Sequence, residues 1–516
     1  MFNFRKRLAA TAAAVAVAAV ALAGCSGSSS GSSSGAGAGD GTLTIATIVP
    51  SSTFAANNVP WANESPYLQA VYDTLLHAKP DGTVEPWLAT KWSYNTDKTV
   101  LTLTLRDDVT FTDGTKFDAS AAAQNLLRFR DGTSPQKAYL ATLKDATAVD
   151  ATTLRLTLSA PNPSLLSFLT QNPGLMESPK HFGAADEKTT PVGSGPYVLD
   201  TKATVVGSSY VFTKNAKYWA PKEQHYAKIV MNVFSTPTAV LNAIKGGQID
   251  GAPLVDNSTI DQIKAAGYTV NGQQLNFFGL LLFDRGGAIS PALADVRVRQ
   301  AINYAFDRKA LLKAVGHGYG DVTSSIFSPD SSGYDKALDD YYTYDPAKAK
   351  SLLKEAGYSA GQITLTMPTS SNFTPATYAL TKQYLSDIGI KVNEVNVAGS
   401  SFLADLLAAK YAATVMQLKA APTTWETLTL DVLPKAGWNP FHTEDPTVAK
   451  LAATVQSGSD AEAAAAAKEL NAYIVKQAWF APWYRPQQTY ATNAKTSVET
   501  QTGNAYPYLW NIVPKG

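Results

Sequence analysis

The sequence predicts an α/β protein with an antiparallel element inserted early, and three patterns predict it. Thr42 to Ile48, Thr99 to Leu105 and Thr153 to Leu158 alternate apolar with Thr or Arg residues at a period of two, the signature of half-buried strands. Asp113-Gly114 marks a turn among them. Ile363 to Met367, Pro375 to Ile388, Ile390 to Val397 and Phe402 to Lys410 read as strand, helix, strand and helix, with Gly389 ending the first helix. Asp345-Pro346 supplies the cap and first residue of a helix whose apolar stripe is Ala349, Leu352, Leu353 and Ala356, with Gly357 at its end. A second stripe, Val298, Ala301, Ile302, Ala305 and Phe306, follows Asp295. At 516 residues the chain has room for about three folding units, yet no low-complexity break after residue 40 marks a boundary between them.

Composition excludes several classes of function. Lys and Arg total 43 against 42 Asp and Glu, so no basic surplus points to nucleic acid. The single cysteine, Cys25, excludes disulfide scaffolds, thiolate zinc sites and iron–sulfur clusters. His77, His181, His225, His317 and His442 are scattered without metal-ligand spacing, so neither a metal nor a cofactor is expected. Arg5, Lys6 and Arg7 precede a 15-residue apolar stretch, Leu8 to Leu22, which is short for a membrane span of about 20 residues and reads as a signal peptide. Leu22-Ala23-Gly24-Cys25 resembles a bacterial lipobox, which implies cleavage before Cys25 and lipidation of its thiol. The chain that remains has 492 residues, with 40 basic and 42 acidic. Ser26 to Gly39 contains only Ser, Gly and Ala, a tether of about 20 Å r.m.s. span between a lipid anchor and a body that begins near Asp40.

Seven short strings occur in a fixed order along the chain. They are Glu85-Pro86-Trp87-Leu88-Ala89 with Trp92; Leu103 to Arg106 with Val109 and Phe111; Asp113-Gly114 with Phe117-Asp118-Ala119; Val192-Gly193-Ser194-Gly195-Pro196-Tyr197; Asn215 to Trp219; Ile244 to Asp250; and Asp295-Val296-Arg297-Val298-Arg299-Gln300-Ala301 with Tyr304-Ala305 and Asp307-Arg308. In this order they resemble the family 5 extracytoplasmic solute-binding proteins of ABC transporters, the dipeptide, oligopeptide and nickel binding group. The resemblance implies a two-lobed, periplasmic-binding-protein-like fold of the type II, Venus-flytrap kind with an extra subdomain. It places the first lobe at 40–74, 190–280 and 480–516, the inserted subdomain at 75–189 and the second lobe at 281–479, hinged near 280 and 480. It further implies a monomeric, lipid-anchored receptor on the extracytoplasmic face, with ABC permease and ATPase subunits as partners, a small-molecule or oligopeptide ligand, and no enzymatic activity.

Local motifs are read structurally. Asp295 is a natural helix cap, and its spacing to Arg299 is that of a surface ion pair. Gly193, Gly195 and Pro196 match no phosphate-binding loop and are expected to make a tight turn into a strand at Tyr197. No nucleophile elbow is present, and Glu426, Asp431 and Glu444 are the carboxylates from which a hydrolase would have to draw an acid–base pair. The ligand segment departs from the family: where peptide-binding members carry a Gly-Trp-x-x-Asp-Tyr-like stretch, this chain reads Gln417-Leu418-Lys419-Ala420-Ala421-Pro422-Thr423-Thr424-Trp425-Glu426. An ammonium buried without a counter-charge costs several kcal/mol, so a free peptide requires Glu426 as the replacement acid. Trp61, Phe278, Trp425 and Trp438 are the candidate stacking faces, which would equally serve a neutral oligosaccharide. A cell-surface hydrolase and a structural or sensor lipoprotein with an immobile cleft are the readings of other classes.

Overall fold

The computed structural model describes residues 41–371 and 373–515, all within the compact unit Ala38–Gly516. Cys25, the apolar leader and the Ser/Gly segment lie outside the described residues. Among the described residues no helix is long and apolar enough to cross a membrane.

A ten-stranded mixed sheet organises the chain. Its order runs Ala413–Lys419, Asn276–Leu282, Phe480–Thr492, Gly251–Leu254, Thr42–Thr47, Lys228–Val233, Ser209–Lys214 and Tyr197–Leu199, and Thr269–Gln274 and Gly320–Val322 also pair with Phe480–Thr492. The strand Phe480–Thr492 changes partners along its length. Phe480 to Tyr484 pair with Phe278 to Leu281, whereas Gln487 to Thr492 pair with Thr269–Gln274 and Thr489 to Thr492 with Gly251–Leu254.

The early period-two segments form a separate four-stranded antiparallel sheet, Ala89–Tyr94, Val100–Leu105, Thr153–Leu158 and Leu143–Ala148. Leu101, Leu103 and Leu105 are buried and the threonines between them are not, so alternation sets the register. The helix Ala119–Arg130 closes the buried face with Ala122, Leu126 and Phe129, and the Asp118 carboxylate caps it by accepting from Ala121 N at 2.8 Å. Later, Thr364–Thr369 and Lys391–Asn396 pair in parallel and are joined by the helix Pro375–Asp387, as the alternating pattern predicts. The next helix is Gly399–Leu407 rather than 402–410, because Ala409 turns into the left-handed region at φ 56° and ends it.

One local expectation is corrected. Asp295 caps the helix Val296–Tyr304 but pairs with Arg297 at 2.5 Å, not with Arg299. Arg299 is 5% exposed and donates to the carbonyls of Leu293 at 2.6 Å, Ala294 at 3.0 Å and Gln477 at 3.1 Å, because burial makes carbonyl oxygens its accessible acceptors. The chain bends at 194–196 into the strand Tyr197–Leu199, as expected, and Gly193 and Gly195 are required there by close approach as well. Neither has positive φ, and a Cβ at either would overlap the backbone of Val71 or the ring or backbone of Tyr72.

Several of the recurring strings meet at one carboxylate. Asp73, 3% exposed, accepts from Trp87 Nε1 at 2.9 Å, Tyr218 OH at 2.9 Å, Ser194 Oγ at 2.8 Å and Trp219 Nε1 at 3.1 Å. Burial pushes its pKa upward while these four donors pull it back down. Replacing Asp73→Ala leaves two buried and two half-buried donors without an acceptor and is expected to destabilise the protein by about 3 kcal/mol, with Asp73→Asn milder because one acceptor remains. Urea denaturation measures both, and equal midpoints for the Ala variant and the native chain would contradict the role.

Candidate functional site

A cleft of about 550 Å³ opens beside the long strand Phe480–Thr492. One wall comes from Ile48, Asn63, Asp256, Asn257, Gln487, Gln488 and Tyr506, and the other from Phe278, His317, Phe373, Thr374, Gln417 and Tyr484. Five amide side chains and four aromatic rings face the space, and Asp256 and His317 are its charged or imidazole groups. The cleft is therefore polar but nearly uncharged. Phe278 lies at its base, 4% exposed, edge-on to Trp483 at 5.3 Å between centroids and to Tyr484 at 5.4 Å.

The strand Ala413–Lys419 reaches this cleft with an open edge. Ala420 N bonds Leu275 O at 2.8 Å, and Phe283 N bonds Ala412 O at 2.8 Å, so the even-numbered residues face Asn276–Leu282. Antiparallel alternation then turns the N–H and C=O of Gln417 and Lys419 outward. No strand pairs with them among the described residues. An unpaired edge of this kind accepts an added extended chain.

Just past that edge lies a buried ionic cluster. The short helix Thr424–Thr427 is capped by Thr423, whose hydroxyl accepts from Glu426 N at 3.3 Å. The Glu426 side chain does not complete a capping box but accepts from Lys419 Nζ at 2.6 Å and Tyr139 OH at 2.9 Å. Glu426 is fully buried, Lys419 is 29% exposed along its side chain, and the second Glu426 oxygen has no partner among the described residues. A π-helical turn, Leu428–Val432, brings Asp431 into the same field at 1% exposure. Burial, and then the Glu426 charge, push the Asp431 pKa well up against the opposing pull of Lys419, so the proton stays on Asp431 more readily than on an ordinary aspartate. Burial first and Glu426 second push the Tyr139 hydroxyl well up, which keeps it a donor.

Of the five residues singled out from the sequence, the structure puts Phe278 in the cleft wall. Trp61, 4% exposed, packs edge-on to Tyr508 at 6.3 Å in the core beside Thr42–Thr47. Trp425 is 9% exposed among the core residues around Phe277 and Phe402, and Trp438 stacks on Phe283 at 6.5 Å beside the same core. Glu426 and Trp425 are neighbours in sequence, whereas Trp61 belongs to a different core. Glu444 is exposed, and no group of three or more His, Cys, Asp or Glu side chains suited to a metal occurs among the described residues. Sequence reading missed Tyr139, Asp256, His317 and the glutamines of the long strand, because segments up to 458 residues apart meet at the cleft and no local spacing signals it.

The sequence profile of the bacterial extracellular solute-binding proteins, family 5 Middle, matches residues 83–438. The chain belongs to that family. It is 32% identical over 302 residues to the nickel-binding periplasmic protein of Escherichia coli K12, a match that spans 56% of this chain and 56% of that relative's length. It is 29% identical over 391 residues to the glutathione-binding protein GsiB of the same strain, covering 68% of this chain and 71% of GsiB. Among solved structures, HbpA2 of Haemophilus parasuis aligns with a TM-score of 0.81 at 21% identity over 92% of this chain and all of that one. DppA of Helicobacter pylori in complex with the peptide STSA aligns at 0.76 and 22% identity over 92% and 98%. The fold of this family 5 chain is thus the two-lobed α/β fold of those periplasmic binding proteins.

The ion pair beside the open edge makes its own prediction. Lys419→Ala would leave the Glu426 carboxylate buried with Tyr139 as its one remaining donor and is expected to cost about 3–5 kcal/mol of stability. Combining Lys419→Met with Glu426→Gln should recover most of that loss, since no charge is then left unpaired. Urea titration of the three variants checks it, and a Lys419→Ala loss below about 1 kcal/mol would mean that the carboxylate carries no buried charge.

Proposed function

We propose that this chain is the substrate-binding subunit of an ABC importer, capturing a peptide or peptide-like solute in the cleft and delivering it to a permease. The observation that carries the cargo reading is the open edge at Gln417 and Lys419 along a family 5 cleft. A strand edge binds the repeating N–H and C=O of an extended peptide whatever its side chains are. The cleft volume of about 550 Å³ suits a small solute of a few residues. A glutathione-binding relative and a peptide-bound structural neighbour support the same class.

The charges narrow the cargo further. Glu426 already holds Lys419 and Tyr139, so a ligand ammonium there would meet a cation before a free carboxylate. In our reading the backbone edge carries the affinity, and Asp256 and His317 are the ionisable groups left for a charged ligand end. The amide and aromatic lining also fits a neutral oligosaccharide, which would not need the strand edge.

The same reading includes two lobes made of 40–74, 190–280 and 480–516 and of 281–479, with 75–189 as an inserted subdomain. Separate apolar cores support the division in outline: one holds residues from Leu75 to Met176, two combine early and final segments, and the others lie within Phe277 to Tyr484, so 277–280 and 480–484 pack with the second lobe. It includes a lipid anchor at Cys25 facing the extracytoplasmic side.

Gln417→Pro removes an outward N–H that the ladder to Asn276–Leu282 does not use, so an edge strand tolerates it. Calorimetric titration with trialanine and pentaalanine is expected to show at least about fivefold weaker binding for Gln417→Pro, one lost hydrogen bond, with Gln417→Ala near native. Maltotriose binding with no peptide binding would overturn the peptide assignment. Cys25→Ser is expected to abolish metabolic lipid labelling and leave the urea midpoint unchanged, because no disulfide depends on that thiol. Continued labelling would refute the anchor.

A further inference from the structure

Five polar contacts join the segment 98–164 to the segment 423–460. The outer three lie toward solvent: Lys98 Nζ to Asp460 Oδ1 at 3.2 Å, with a fully exposed aspartate, Lys98 Nζ to Gly458 O at 3.5 Å, and Gln456 Nε2 to Pro161 O at 3.0 Å. The inner two are Ser164 Oγ with Thr423 Oγ1 at 2.7 Å and Tyr139 OH donating to Glu426 Oε1 at 2.9 Å, where Ser164 and Glu426 are 0% exposed. An exposed ion pair contributes little in water, so the inner contacts decide the strength of this seam.

Both partners of the Tyr139–Glu426 bond are held in place before they meet. The Tyr139 ring stacks on Phe168 with centroids 4.0 Å apart and planes within 5°, which fixes the direction of the hydroxyl. On the other side Lys419 and the capped helix Thr424–Thr427 hold the carboxylate. Lys419 is also the last residue of the open-edged strand beside the cleft. One carboxylate therefore anchors the end of the ligand-facing strand and receives the hydroxyl from across the seam.

We infer that Tyr139 and Glu426 form the latch of the clamp, the contact that stabilises closure and couples it to the strand edge. The inference rests on the two-lobed reading above, in which residues 75–189 and 281–479 move apart when the clamp opens. Closure removes water from the Glu426 carboxylate, and the Tyr139 hydroxyl replaces one of the lost hydrogen bonds. Without that hydroxyl, closure buries a charge with one donor fewer, and the equilibrium moves toward the open form. Tyr139 acts here as a positioning residue, touching Glu426 rather than the ligand.

The Ser164–Thr423 contact supplies the readout. In the full chain carrying Cys25→Ser, Ser164→Cys and Thr423→Cys, oxidised dithiothreitol cross-links the seam at a rate set by the closed population. Adding Tyr139→Phe is expected to slow cross-linking at least threefold and to enlarge the radius of gyration of the reduced protein, and adding Glu426→Gln as well is expected to slow it no further. Small-angle scattering of Tyr139→Phe alone, without the introduced cysteines, repeats the measurement if those substitutions disturb folding. Cross-linking and scattering at native values in Tyr139→Phe would overturn the latch. If the cross-linked and reduced forms of the parent scatter identically, the clamp does not open, and the hinged reading itself fails whatever Tyr139 does.

Discussion

The structure depends on a single strand that serves two sets of partners. Phe480–Thr492 has thirteen residues, about 43 Å when extended, and its first part is hydrogen-bonded to Asn276–Leu282 while its last part is bonded to Thr269–Gln274 and Gly251–Leu254. Phe480, Ala481, Trp483, Tyr484, Tyr490 and Ala491 are buried, so both faces of the strand are packed toward its two ends. Pro482 lacks an N–H for the ladder, and the register shifts opposite it, between Phe278 and Gly279. Gly279 permits the close approach: a Cβ there would meet the backbone of Ala481 to Trp483. Where the partners change, Arg485 is 1% exposed and donates to Asp339 at 2.7 Å and to Phe327 O at 3.0 Å. The cleft opens along this same strand, at Tyr484, Gln487 and Gln488.

Buried charges tie the surrounding segments to that frame by hydrogen bonds to several of them at once. Asp73 collects donors from three distant segments. Arg308 does the converse, donating to the carbonyls of Asn303, Thr323, Tyr342 and Pro482 at 2.9–3.1 Å, and burial lowers its pKa to about 10 without removing its charge at neutral pH. Isolated charges in such positions would cost several kcal/mol, so each one specifies the loop geometry around it. Several of the family strings are explained by this: Trp87, Ser194 and Trp219 serve Asp73, and Arg308 grips the long strand at Pro482. These residues shape the scaffold.

At the cleft the chemistry is of a different kind. The wall is amide and aromatic with little charge, and the strongest local electrostatic interaction, Lys419 with Glu426, is satisfied inside the protein. A family 5 scaffold thus presents an open backbone edge while its neighbouring carboxylate faces across a seam to Tyr139. Ligand capture and closure, in the reading proposed here, share one short segment, Gln417 to Glu426.

The sequence by itself determined the α/β class, the antiparallel element, the βαβ unit around Pro375–Asp387 and the caps at Asp295 and Asp345, because each depends on neighbours within a few residues. The ordered strings were enough to point to the family. Only the tertiary structure decided which polar groups meet. Arg299 turned from the expected Asp295 to carbonyls, the glycines at 193 and 195 answered to the backbone at 71–72, Trp61 went to a core, and Glu426 found Lys419 seven residues back and Tyr139 nearly three hundred away. The physical reason is that a buried polar group must bond to whatever packing brings within about 3 Å, and that neighbour is chosen by strand pairing over hundreds of residues rather than by local periodicity.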